Sequence, residues 1–220
     1  MTLSVELAEL EARIDSRLAR AGYPASPTAV SALAIHLSMT LDWARSMSLT
    51  SVRSAEEAIE RHVVESVGAA MVVDKRSERG LDVGSGNGYP AIPMKALNPG
   101  IKLILLEPHL RRSVFLEQVA RKTGLTGIEV RRARIDRVED LEKYAPMDLI
   151  SMRGVARTDV LVGGSPKILS ASGQLVLLLG EKSADAAVQN APGSLEVELD
   201  FILPCRGRTR LVVLRKRPQT

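Results

Sequence analysis

An acid and three glycines at alternate positions stand out in the stretch LDVGSGNGYP, residues 81–90: Asp82, Gly84, Gly86 and Gly88, with Ser85 inside the loop. Glycine there lets the backbone turn tightly and approach a ligand closely. Two cofactor classes compete for such a loop. A dinucleotide site reads G-x-G-x-x-G and places a pyrophosphate on a helix N-terminus. Here the order is G-S-G-N-G, and Pro90 and Pro93 follow where a dinucleotide site has an uninterrupted helix start. S-adenosylmethionine carries a free amine instead, and the acid Asp82 suits it, directly or through water. Tyr89 is placed either to wall the ligand or to pack in the core. Glu107 stands 23 positions after Gly84 and closes the apolar run KLILLE. A carboxylate at that strand end suits the two ribose hydroxyls of a nucleoside. Ile135 and Asp136 follow a third strand, where a loop can hold adenine. The three marks together favour a methyl donor over a dinucleotide.

The elements that must position these residues alternate. Residues 3–20 carry Leu3, Leu7, Leu10, Ile14 and Leu18 on one helical stripe, and GYPASP (22–27) ends it. A second helix is expected over 28–46 and a third, capped by Ser54, to about 70. Strands are expected at 79–83, 102–107, 127–132, 147–152, 170–180, 195–203 and 208–216, the last two joined by the turn CRGR. Helices are expected at 91–97, 110–123, 158–170 and 183–189. Strands alternating with helices imply an α/β fold with a mostly parallel sheet. Residues 1–70 read as a helical extension and 71–220 as the domain it packs on, together one unit.

Apolar residues make up 45% of the chain and aromatics 3%, which argues against reading single-stranded nucleic acid with rows of stacked rings. The net charge of +4 is modest. Its arginines cluster at 111–112, at 131, 132, 134 and 137, and from 206 to 217, an arrangement that suits phosphate contact or a solubilising surface. The single cysteine, Cys205, excludes an intramolecular disulfide and a cysteine zinc cluster, and fits the reducing cytoplasm. The N-terminus lacks the pattern of a signal peptide, and no apolar run has the length of a membrane span. His36 and His109 lack the partner spacing of a metal site. Trp43 reads as a hydrophobic anchor.

Several stretches together resemble one known family, the bacterial 16S rRNA guanine-N7 methyltransferases, also called the glucose-inhibited division protein B family. DVGSGNGYPAIP (82–93) is similar to its cofactor loop, proline pair included. LTSVRSAEEAIERHVVESV (49–67) resembles the segment before its first strand. RRSVFLEQVARKTGL (111–125), Arg134-Ile135-Asp136, SMRGVA (151–156) and RTRLVVLRK (208–216) match further family segments. The resemblance implies a Rossmann-like class I methyltransferase with a seven-stranded, mostly parallel sheet. It implies S-adenosylmethionine as donor and a guanine in the decoding-region loop of 16S rRNA, within the small ribosomal subunit, as acceptor. A monomer is expected. Two positions depart from the family pattern: Ser48 replaces an asparagine, and Leu179 replaces a lysine, with Lys182 nearby to substitute.

The residues fit that chemistry. Guanine N7 has a lone pair and no proton, so attack on a sulfonium methyl needs no general base, and catalysis reduces largely to alignment. SMRG occupies the place where exocyclic-amine methyltransferases hold D/N/S-P-P-Y/F. Arg153, following the fourth strand, is the residue expected to orient the cofactor carboxylate or the guanine, or to pair with a phosphate; a structural salt bridge is its other reading. The cofactor set is thus Asp82, Gly84, Ser85, Gly86, Gly88, Tyr89, Glu107, Arg134, Ile135, Asp136 and Arg153. The RNA set is Arg61, His62, Arg112, Lys182, Arg206 and Arg208, with packing as the rival role for His62. Other classes remain open: methyl transfer to another RNA or a small molecule, or RNA or cofactor binding without turnover.

Overall fold

The computed structural model describes residues 3–47, 54–154, 156–205 and 208–218. Two long helices lead, α1 (Leu3–Arg20) and α2 (Pro27–Met47). A third helical stretch follows in three parts: α3 (Ala55–Ala58), a π-helical turn (Ile59–Val64) and α4 (Glu65–Met71). Ser54 caps it as expected, its hydroxyl accepting from the Glu57 amide at 3.1 Å. The π-helical turn has no signature in local periodicity, and such turns often lie at functional sites.

From there strands and helices alternate: β1 (Arg79–Val83), α5 (Ala91–Leu97), β2 (Lys102–Leu106), α6 (Leu110–Thr123), β3 (Ile128–Arg131), α7 (Glu139–Glu142), β4 (Met147–Arg153), α8 (Thr158–Ile168), β5 (Leu169–Leu179), α9 (Glu181–Gln189), β6 (Leu195–Ile202) and β7 (Arg210–Lys216). The expected strands are all present within a few residues. The short α7 is an addition. Gly124 ends α6 in the left-handed conformation, φ 68°, which glycine adopts without steric cost.

The seven strands form one sheet in the order β3-β2-β1-β4-β5-β7-β6. β1 to β5 pair in parallel, and β7 runs antiparallel to both β5 and β6. Consecutive residues of the central strands enter opposite cores, as a two-sided sheet requires. Leu81, Ile150, Met152, Leu175 and Leu177 pack on one face, while Leu103, Leu105, Leu149, Val176 and Leu178 pack on the other. Phe115 of α6 is fully buried in the second core. A third core, built from Ile14, Leu18, Leu33, Leu37, Ile59 and Val63 among others, joins the leading helices and includes Tyr89 from the glycine loop. The sheet order reverses between β1 and β4. Ligands of open α/β sheets bind at such a switch point, beyond the carboxyl ends of the strands.

Candidate active site

The loop after β1 lies at that switch point. Gly84, Gly86 and Gly88 have φ of 71°, 57° and 88°, all in the left-handed region. The Gly84 and Ser85 amides both donate to the Leu106 carbonyl, at 2.9 and 3.0 Å, so the loop is pinned to the end of β2. Nothing but the Gly84 carbonyl, 3.8 Å away, would meet a Cβ added at Gly86. The backbone there is an open surface.

Two carboxylates flank this surface. β1 and β2 pair with Asp82 opposite Leu105 and Val83 opposite Leu106, which brings Asp82 and Glu107 to neighbouring strand ends. Glu107 is 2% exposed, and both its oxygens are held by backbone amides. Oε2 accepts from Gly86 at 2.9 Å and Oε1 from His109 at 2.9 Å. Asp82 is 1% exposed, and its Oδ1 accepts from the Ser151 hydroxyl at 2.6 Å. Burial pushes the Asp82 carboxyl up to about 6; the Ser151 and Ser85 hydroxyls pull it back, and the Glu107 charge adds to the rise. A shifted acid beside a second acid in a crevice marks a candidate functional site. Both groups accept hydrogen bonds and carry negative charge, so the pair fits a cation and a diol and opposes a pyrophosphate.

Arg153 ends β4 on the other side of the switch point. Its Nη2 donates to Glu65 Oε2 at 2.8 Å, and the Glu65 side chain is fully buried. Nη1 has no hydrogen-bond partner among the described residues. Burial lowers the guanidinium pKa, and the Glu65 charge opposes that shift. Arg153 therefore forms the salt bridge that was one of its two readings, with one donor left unpartnered among the described residues. Sequence reasoning missed Glu65, because nothing local marks a residue whose partner lies 88 positions away. Ser151 was also missed; its place opposite Asp82 in the β1–β4 register is the only signal for it.

Tyr89 turns away from the open surface. Its ring is stacked between His36 (4.2 Å, 20°) and His62 (4.8 Å, 16°), and it is 4% exposed. His62 thus lies in the core, 9% exposed. Ile135 is buried, and the Asp136 amide donates to Asp140 Oδ2 at 3.1 Å, which orders the turn after β3. Arg134 is exposed and pairs with Asp136 at 2.9 Å. Among the expected RNA contacts, Arg61 and Arg208 line one groove of about 1050 Å³ beside α1. Lys182 is exposed and Arg112 half-buried. Arg206 lies outside the described residues. The late arginines divide: Arg210 pairs with Asp200 and Asp185, and Arg215 with Glu198, so these two brace the sheet edge. Among the described residues no cluster of His, Cys, Asp or Glu could hold a metal, and no helix is long and apolar enough to cross a membrane.

Known proteins resemble this chain. Residues 29–208 match the family model of rRNA small subunit methyltransferase G. A relative from Symbiobacterium thermophilum, named Ribosomal RNA small subunit methyltransferase G, is 32% identical over 224 residues, covering 94% of this chain and 90% of that protein. Among solved structures, TrmN from Thermus thermophilus superposes with a TM-score of 0.56 at 20% identity over 69% of this chain, which spans about half (48%) of that protein. A ribosomal protein L11 methylase from Lactobacillus delbrueckii subsp. bulgaricus gives 0.56 at 17% identity, covering 76% of this chain and 81% of that one. These likenesses establish the class I methyltransferase fold. With the family match across most of its length, the chain belongs to the rRNA small subunit methyltransferase G family.

Proposed function

We propose that this chain transfers the methyl group of S-adenosylmethionine to N7 of a guanine in the decoding-region loop of 16S rRNA. The observation that carries the reading is the pair of buried carboxylates, Asp82 and Glu107, on either side of the open glycine backbone at the switch point. The donor supplies an electrophilic methyl on a positively charged sulfur. Asp82 is suited to bind its ammonium group, directly or through water. Glu107 is suited to accept from the ribose hydroxyls, and Ile135 and Asp136 to border the adenine. Arg153 orients the acceptor or the donor carboxylate with the nitrogen that Glu65 leaves free.

No residue is assigned as a general base, because N7 attacks through an existing lone pair. The barrier is lowered by holding nucleophile, methyl and leaving sulfur in line. Cations at Arg61 and Arg112, both half-buried, and at the exposed Lys182 and Arg208 supply the charge for an RNA backbone. In cells lacking this protein, a methylation map of the small-subunit rRNA is expected to lose one N7-methylguanine in the decoding region. Wild type restores it and Arg153→Ala does not. An unchanged map refutes the RNA reading.

A further inference from the structure

The leading helices reach into the glycine loop itself. His36, on α2 and fully buried, places Nε2 2.7 Å from the Asn87 carbonyl oxygen. A carbonyl only accepts, so Nε2 carries the proton and Nδ1 is left with its lone pair. Burial lowers the imidazole pKa to about 4, so the ring is neutral at physiological pH. Nδ1 has no hydrogen-bond partner among the described residues. A buried acceptor without a partner is destabilising, and an apolar side chain at position 36 would avoid that penalty. What a histidine offers instead is the bond to Asn87.

The loop is shaped around this ring. A Cβ at Gly88 would stand 3.1 Å from His36 Nε2 and 2.8 Å from Ile92 Cγ1. The imidazole edge therefore fills the space that this glycine leaves. Tyr89, the next residue, stacks on the same ring, with centroids 4.2 Å apart. Asn87 itself lies between Gly86, whose amide is directed at Glu107, and Gly88, whose amide returns to Ser85 at 2.7 Å. A donor on the Asn87 carbonyl thus sets the plane of the peptide that joins the open part of the loop to its packed part.

We propose that His36 is a positioning residue for the methyl-donor loop: its Nε2–H holds the Asn87 carbonyl and so keeps the Gly86 amide and backbone in the ligand-ready arrangement. The proposal rests on the reading of that loop as the site of S-adenosylmethionine. His36 touches neither donor nor acceptor and acts only through the loop.

Two variants separate positioning from packing. His36→Phe keeps an aromatic ring against Tyr89 and removes both the donor and the orphaned acceptor. His36→Gln removes the ring and keeps an N–H of similar reach. Hydrogen exchange of the Gly86 and Gly88 amides is followed in the protein without cofactor, together with thermal unfolding and calorimetric titration with S-adenosylhomocysteine. In His36→Phe the loop amides are expected to exchange about fivefold to tenfold faster, with a similar loss of affinity, the size of one net hydrogen bond. The midpoint of unfolding stays near that of wild type, and kcat at saturating donor is retained while its KM rises. His36→Gln recovers most of the exchange protection and affinity even where its midpoint falls. Unchanged loop exchange in His36→Phe, or a glutamine no better than phenylalanine, overturns the proposal while leaving the cofactor reading intact. A wild-type protein that does not bind S-adenosylhomocysteine refutes the cofactor reading, and the proposal with it.

Discussion

Replacing Glu65 by glutamine tests what holds Arg153 at the end of β4. The ion pair is short, 2.8 Å, with Glu65 fully buried and Arg153 only 20% exposed. At an effective dielectric of about 20, two unit charges at that distance attract by about 6 kcal/mol. Desolvation cancels much of this for the intact pair, but removing one partner leaves the other buried and uncompensated. Such losses run to about 3–5 kcal/mol. Glutamine can keep one hydrogen bond to the guanidinium, and Arg153 retains some contact with water, so the expected loss is lower, about 2–3 kcal/mol. For a chain of this size that lowers the midpoint of thermal unfolding by roughly 5–10 °C. The assay is circular dichroism melting of wild type, Glu65→Gln, Arg153→Gln and the double variant. Coupling of about 1–3 kcal/mol is expected, with the double variant more stable than the sum of the single losses allows. A Glu65→Gln midpoint within about 1 °C of wild type, or strictly additive losses, would refute the argument that Glu65 neutralises a buried Arg153. The expected coupling also bears on function, because methylation lost in Arg153→Ala then includes a folding component.

Asp82 makes stability depend on pH with an unusual sign. Its folded pKa, about 6, lies above its ordinary value, so the folded state binds the proton more tightly and stability falls as pH rises from about 4 to about 6. Asp82→Asn removes that dependence, which a series of denaturant melts across this range will show as a flatter profile; S-adenosylmethionine affinity of the wild type should rise over the same interval as the carboxylate forms. Gly86→Ala and Gly88→Ala separate binding from folding. The former meets only the Gly84 carbonyl and costs about 1–2 kcal/mol of left-handed strain while abolishing cofactor titration; the latter also drives a Cβ into Ile92 and His36 and lowers the melting midpoint further. Arg210→Ala breaks two partly exposed ion pairs at the sheet edge, so stability drops by about 1 kcal/mol or less, the effect shrinks in salt, and rRNA methylation in complemented cells is retained.

Local chemistry in the chain already determined much of this protein. Runs such as KLILLE, the alternation in LEVELDFIL and the glycine loop with its proline pair marked the strands and a candidate ligand loop, because each depends on residues only a few positions apart. Asp82 and Glu107 were legible for the same reason: each lies within one residue of the carboxyl end of a strand, and a parallel register sets neighbouring strand ends side by side. Other features needed the folded chain. Arg210 and Arg215 look like part of a basic RNA-binding tract, yet acids from β6 and α9 neutralise them. Tyr89 follows the loop in sequence but enters the helical core, where His36 and His62 enclose it. The π-helical turn, the Glu65–Arg153 pair and the bond from His36 to Asn87 join residues 51 to 88 positions apart or depend on packing between layers. Periodicity reports which face a side chain takes; only packing the layers together decides what it meets there.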